Sequence, residues 1–335
     1  MFGFLVTTFN LATLTNLMFY LTVFIGAILL RKIAANWEKM IRKALEIEVS
    51  LKQIRRPSKT LWKYSTITHI TLFLALLEHI LSIISRMSKV MTDLNESKIT
   101  DRVMELYFST SVPVIFNITS YSLWKAIPFF IANIQATFIW NITDVITMCI
   151  SLYLTSYFDD LNNTINHREK YESITWSKLR MSYSQLVTNV KEVDSKFCHL
   201  VLLSFFTNLF FISLQLFNTL NAIYMTYYIY SFMFLTARAC IMCLLAANVH
   251  KSAQEPLFVI RYVPSSEYTL DIQRFVRQIL FTTTALSGVY FYVTRSTLLK
   301  VFGTVLTYEL VLLQFNMVTE ELMDGRSNST SITSL

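Results

Sequence analysis

Thr307-Tyr308-Glu309-Leu310-Val311-Leu312-Leu313-Gln314-Phe315 closes the last apolar run of the 335-residue chain. It sets Glu309 and Gln314 inside a membrane-length stretch, where polar side chains are costly and tend to be functional. Thr307, Val311 and Gln314 follow i, i+4, i+7 spacing and share one helical stripe; Tyr308 and Phe315 lie on an adjacent one, and Glu309 faces away. Upstream, apolar runs of about 20 residues or more recur. They predict six spans, at about 4–30, 61–86, 128–158, 198–221, 225–250 and 294–318. With 53% hydrophobic and 15% charged residues and only five Gly and five Pro, an ordinary soluble domain is excluded. The fold class is all-α, a polytopic helical membrane protein in a lipid bilayer. The run 4–30 is too long for a signal-peptide core and lacks a basic segment before it, so it reads as an anchor.

The net charge of +7 follows topology and gives no reason to invoke nucleic acid. Arg31, Lys32, Lys39, Arg42, Lys43, Lys52, Arg55, Arg56, Lys59 and Lys63 crowd the first loop. The next loop is balanced, the third (159–196) carries six Lys and Arg residues, and the turn near Asn221 is uncharged. Basic residues return between Lys251 and Lys300, and the tail carries Glu320, Glu321 and Asp324. Basic loops face the cytosol, which predicts both termini outside and places the sequons at Asn95, Asn117 and Asn328 outside as glycosylation candidates. The loop 158–196 has no Gly or Pro and should continue its flanking spans as cytoplasmic helices; 271–286 should form an amphipathic helix.

Cys149, Cys198, Cys240 and Cys243 all lie in or beside apolar runs and read as small core residues. Cys240 and Cys243 have neither a second pair nor a nearby His to suggest a metal or redox centre. Phosphate loops, His-Glu-x-x-His and a Ser/His/Asp set are likewise missing from the sequence, so nothing points to an enzyme, a metal or a cofactor.

Glu78, Asp144, Arg238 and Glu309 fall in or near spans, where each costs about 2.5–3.5 kcal/mol at a bilayer centre. They should face the bundle interior or a wet cavity. Glu78 is followed by His79; Trp140, Asn141 and Asp144 share one helical turn; Asn208 and Gln215 are seven residues apart and roughly aligned. Carboxylates and amides can bind neighbouring hydroxyls while an aromatic face covers sugar C–H groups. The same residues could instead bond helix to helix. Taken together, Glu78, His79, Trp140, Asn141, Asp144, Asn208 and Gln215 are candidates for binding a polyol, with Arg238 a counter-ion.

Several stretches resemble the sugar-receptor branch of the insect gustatory receptors. They are Leu77-Glu78-His79-Ile80-Leu81-Ser82, Trp140-Asn141-Ile142-Thr143-Asp144, Lys191-Glu192-Val193-Asp194, Leu202-Leu203-Ser204-Phe205 with Asn208-Leu209-Phe210-Phe211-Ile212, and Gln215-Leu216-Phe217-Asn218. Glu255-Pro256-Leu257, Arg261-Tyr262-Val263-Pro264-Ser265, Ala285-Leu286-Ser287-Gly288, Gly303-Thr304-Val305 and the closing motif complete the set. The resemblance implies a seven-helix subunit with a cytoplasmic amino terminus, in the plasma membrane of gustatory sensory neurons. It implies homo- or hetero-tetramers with related receptors, a central pore lined by the last helix, and opening to cations when a sugar binds among the outer helices. Residues 1–250 would form the ligand-binding bundle, 251–293 the cytoplasmic anchor, 294–318 the pore helix and 319–335 a disordered extracellular tail. Thr307, Val311, Gln314 and Phe315 would then serve as pore and gate. Because the first span runs from outside to inside, as a second helix of the family would, the family's first helix is expected to be absent here. Two rivals are a G-protein-coupled chemoreceptor, opposed by the charge pattern, and a transporter, for which broken helices and an internal repeat are missing from the sequence.

Overall fold

The computed structural model describes residues 11–51, 60–97, 103–111, 116, 118–168, 174–220, 225–304, 307, 311 and 314. Long helices dominate: α1 (Leu11–Ala35), α2 (Trp37–Ser50), α3 (Thr60–Ser97), α4 (Val103–Ser111), α5 (Leu123–Asn166), α6 (Trp176–Leu220) and α7 (Met225–Gln254). Short α8 (Pro256–Ile260), a 3-10 turn (Ser265–Glu267) and α9 (Leu270–Phe281) follow, before a last helix, α10, described from 295 to 304. The described residues contain no β-strand, only an isolated bridge between Ser287 and Tyr292.

Five of these helices are long and apolar enough to cross a membrane: Leu14–Ala35, Trp62–Thr92, Leu123–Asn166, Trp176–Leu216 and Tyr227–Ile260. Of the sixth expected span, 294–318, residues 294–304, 307, 311 and 314 are described, and all but the first of these are helical. α5 has 44 residues and α6 has 45. At 1.5 Å rise per residue each is about 65 Å long, more than twice the ~30 Å hydrocarbon core. They run past the apolar stretch at the end where Asp159, Asp160, Lys178 and Arg180 appear. α5 also starts upstream of Pro128, which sits inside the helix; long membrane helices tolerate proline because neighbours re-satisfy the freed backbone.

Beyond the membrane-length stretch, the extensions of α5 and α6 pack with α8 and α9 around a compact apolar core. Leu161, Leu179, Ile272 and Phe275 are fully buried there, and the Phe275 ring meets Tyr183 edge-on at 5.2 Å. At the level of the spans the outer surface is apolar instead: Phe73, Leu76, Ile80 and Ile84 of α3 are all exposed, as lipid-facing residues are.

A tight turn joins α9 to α10. Gly288 N–H donates to Phe291 O at 2.8 Å, and Val293 N–H to Leu286 O at 2.8 Å. A Cβ on Gly288 would lie 2.5 Å from the Phe291 ring, so any other residue would force that ring to shift. Val289 takes φ 65°, a conformation β-branched residues rarely adopt. Asp194 of α6 fastens the turn by accepting from Ser287 N–H (2.6 Å) and Ser287 Oγ (2.7 Å).

Replacing Phe275 by Ala should cost about 3–5 kcal/mol, as for other fully buried aromatic truncations. Thermal unfolding of the detergent-solubilised protein should show a clear drop in Tm; an unchanged Tm would mean that α9 does not dock in this core.

Candidate functional site

The candidate site lies at the end of the bundle opposite that compact core. α1, α3, α5, α6 and α7 converge around a cavity of about 220 Å³. The helices alternate in direction, so the late part of α3 (Glu78, Ser82, Arg86) and the early part of α7 (Tyr227, Ser231) meet at the same height. Glu78 Oε1 accepts from Ser231 Oγ at 2.9 Å and from Tyr227 Oη at 3.2 Å, and neither bond uses Oε2. Gln215 Nε2 of α6 donates to Ser231 Oγ at 3.1 Å. A relay therefore runs from α6 through α7 to the α3 carboxylate.

An aromatic wall closes another side. The Trp140 ring lies 4.9 Å from Phe211 and 5.7 Å from Phe19. Two ring nitrogens among the lining residues, His79 Nε2 and Trp140 Nε1, are buried without a hydrogen-bond partner. His79 Nδ1 sits 3.3 Å from Thr137 Oγ1. Unpaired buried polar atoms cost about 1–3 kcal/mol each, so a polar ligand or water in this cavity would relieve both.

The floor is ionic. Arg238 of α7 stands with its guanidinium carbon 4.7 Å over the Trp140 ring. Its Nε pairs with Asp144 Oδ2 of α5 at 2.9 Å, with the two side chains 2% and 0% exposed. Its Nη1 donates to Asn141 Oδ1, and its Nη2 to Asn208 Oδ1 at 3.2 Å. Asp144 also accepts from Ser204 Oγ and, at 3.1–3.2 Å, from Asn208 Nδ2. A buried ion pair needs such added hydrogen bonds to offset its desolvation.

Of the seven residues the sequence suggests, Glu78, His79, Trp140, Asn141 and Gln215 line the cavity. Asp144 and Asn208 lie beneath it, engaged with Arg238. Sequence reasoning passed over Ser82, Arg86, Tyr227 and Ser231, which also line it, and treated Arg238 only as a counter-ion. Their spacing is a readable signal: Glu78, Ser82 and Arg86 on α3, and Tyr227, Ser231 and Arg238 on α7, each form a single polar stripe. Thr307, Val311 and Gln314 are helical and exposed. Phe315, Asn117 and Asn328 lie outside the described residues, as does the side chain of Asn95.

A bundle of membrane-length helices with a polar, aromatic-walled cavity between them defines the fold of a multi-pass helical membrane protein. Known structures share it: the insect olfactory receptor OR5 from Machilis hrabei aligns at TM-score 0.61 and 17% identity over 92% of this chain and 83% of that one. The same receptor in complex with eugenol aligns at 0.62 and 15%, over 88% and 79%. The trehalose receptor family model matches residues 2–323, and the chain belongs to that family. Among its relatives in Drosophila melanogaster, gustatory receptor for sugar taste 64f is 30% identical over 88% of this chain and gustatory receptor 5a for trehalose 30% identical over 90%. The chain spans 65% of the length of the first and 69% of the second.

Replacing Arg238 by Met should leave Asp144 as an uncompensated buried charge and destabilise the bundle by about 3–5 kcal/mol. Changing Asp144 to Leu in that background should recover a large part of the loss. Tm values of the purified single and double variants check this; a double variant no better than Arg238→Met would contradict the pairing.

Proposed function

We propose that the chain is a subunit of a sugar-gated, nonselective cation channel of the plasma membrane of gustatory sensory neurons. The observation that carries this reading is the lining of the cavity. A carboxylate, side-chain amides and two unpartnered ring nitrogens converge around an aromatic wall, the set that a polyol's hydroxyls and C–H face call for. Its volume is below the ~300–1,000 Å³ of drug-sized sites, which suits a mono- or disaccharide with one ring seated inside. The sugar-taste relatives and the family match support the same ligand class.

The floor supplies a route from ligand to helix packing. A hydroxyl that takes up Asn141 competes with Arg238 for the same amide, and Arg238 is bonded to α5 and α6 together. A ligand shifts an equilibrium only by binding two states unequally, and this competition is one way to do so. The turn held by Asp194 then links α6 to the start of α10. Four copies of α10 around an axis would set Thr307, Val311 and Gln314 toward a shared pore, with Phe315 beside them. A ring of neutral amides passes cations with little discrimination, and apolar rings gate by dewetting. The subunits would assemble as a homo- or hetero-tetramer with related receptors.

Patch-clamp recording from cells expressing the receptor with and without relatives, across a panel of mono- and disaccharides including trehalose, tests the proposal. Glu78→Gln should raise the half-effective sugar concentration by roughly 10–100-fold, the scale of a lost charge-assisted hydrogen bond, at unchanged surface expression. Gln314→Ala and Phe315→Ala should alter conductance or gating with less effect on that concentration. A sugar-evoked current untouched by both would sink the pore assignment.

A further inference from the structure

A second cavity, of about 400 Å³, opens beneath α2 at the opposite end of the spans. Met40 and Ala44 of α2, Ile150 and Tyr153 of α5, and Val193 and Phe197 of α6 give it mainly apolar walls. Its height is that of the membrane boundary. Tyr64, also on its wall, follows Lys63, and Arg31 and Lys32 stand little more than a turn before Trp37.

Its mouth faces outward along α2. Trp37 and Ile41 both line the cavity and are 49% and 42% exposed. Leu45 and Val49 continue them at four-residue steps and are exposed as well. Only Asn36 separates α2 from α1, whose Phe24 and Ile28 are exposed at the same spacing. The groove therefore opens onto surface continuous with a lipid-facing span. An amphipathic helix carrying Trp at such a boundary lies in the plane of the interface.

One wall residue is out of keeping. Asn189 of α6 is 4% exposed, and its side-chain nitrogen has no hydrogen-bond partner. An unpaired buried donor in an apolar groove is unfavourable, so an occupant should carry an acceptor oxygen at the head of an apolar chain. The Lys43 ammonium on the same wall is already paired with Glu192. It leaves no uncompensated cation for a fatty-acid carboxylate, whereas a neutral ester carbonyl matches the Asn189 amide.

We propose that this groove holds one acyl chain of a membrane glycerolipid, an ester carbonyl accepting a hydrogen bond from Asn189 Nδ2. The lipid fills the space between α2, α5 and α6 and anchors α2 in the membrane plane.

Native mass spectrometry of the full chain, washed free of lipid in detergent and titrated with dioleoylphosphatidylcholine, tests this. The expected result is a saturable adduct of one phospholipid per subunit. Asn189→Leu, which preserves side-chain size, should weaken it roughly tenfold, the scale of one lost hydrogen bond to a buried group. Ala44→Phe, which fills the groove, should abolish it. Equal adducts on wild type and Asn189→Leu would overturn the proposal, as would saturable binding of oleate in preference to the phospholipid.

Discussion

Asp144 and Arg238 meet 2.9 Å apart in the middle of the bundle, almost wholly cut off from solvent. Neither charge could stay there alone. Asn141, Ser204 and Asn208 exist at this level to divide up the remaining donors and acceptors, and the five residues come from α5, α6 and α7. Rotating or sliding any one of these helices would strip hydrogen bonds from a buried charge, so the pair fixes their register where apolar packing alone would allow slippage. It also determines what lies above it. The guanidinium stands over the Trp140 ring, and Asn141 lies at the cavity floor.

A similar constraint acts lower on α6, ten residues before Ser204. Asp194 binds the backbone and hydroxyl of Ser287, Thr284 O accepts from His250 Nδ1 at 3.2 Å, and Arg295 reaches Asn248 Oδ1 at 2.9 Å. The turn that launches α10 is thus tied to both α6 and α7, the helices that carry Gln215, Ser231 and Arg238 into the cavity. Between the two anchor points the helices are continuous, so a displacement at one end has a stiff path to the other.

Much of this arrangement was legible in the sequence. Apolar length and charge placement gave the membrane helices, and the polar residues inside them marked the cavity. Blocks that look unrelated along the chain turn out to meet. Asp144 joins Ser204 and Asn208, and Asp194 joins Ser287. Helical spacing could put Trp140, Asn141 and Asp144 on one turn, but it could not divide them between cavity wall and buried network. That division depends on the height of Arg238 on a helix almost a hundred residues away. Tyr227, Ser231 and Arg86 were missed for a related reason. A single hydroxyl or arginine among apolar neighbours says little by itself, and stands out only when read as one stripe with Glu78 or Arg238. The groove beneath α2 was beyond sequence reading altogether, because its walls come from four elements whose apolar faces look like ordinary core.

A sugar bound as proposed lies in the cavity between Glu78 and Trp140. A cysteine placed at Ser231 would sit on the cavity wall, and its rate of modification by a small charged methanethiosulfonate reports access to that wall directly, after subtraction of labelling at the native thiols. Occupancy by an activating sugar should slow the modification in proportion to the response it evokes. A rate unchanged at sugar concentrations that fully activate the receptor would contradict the account.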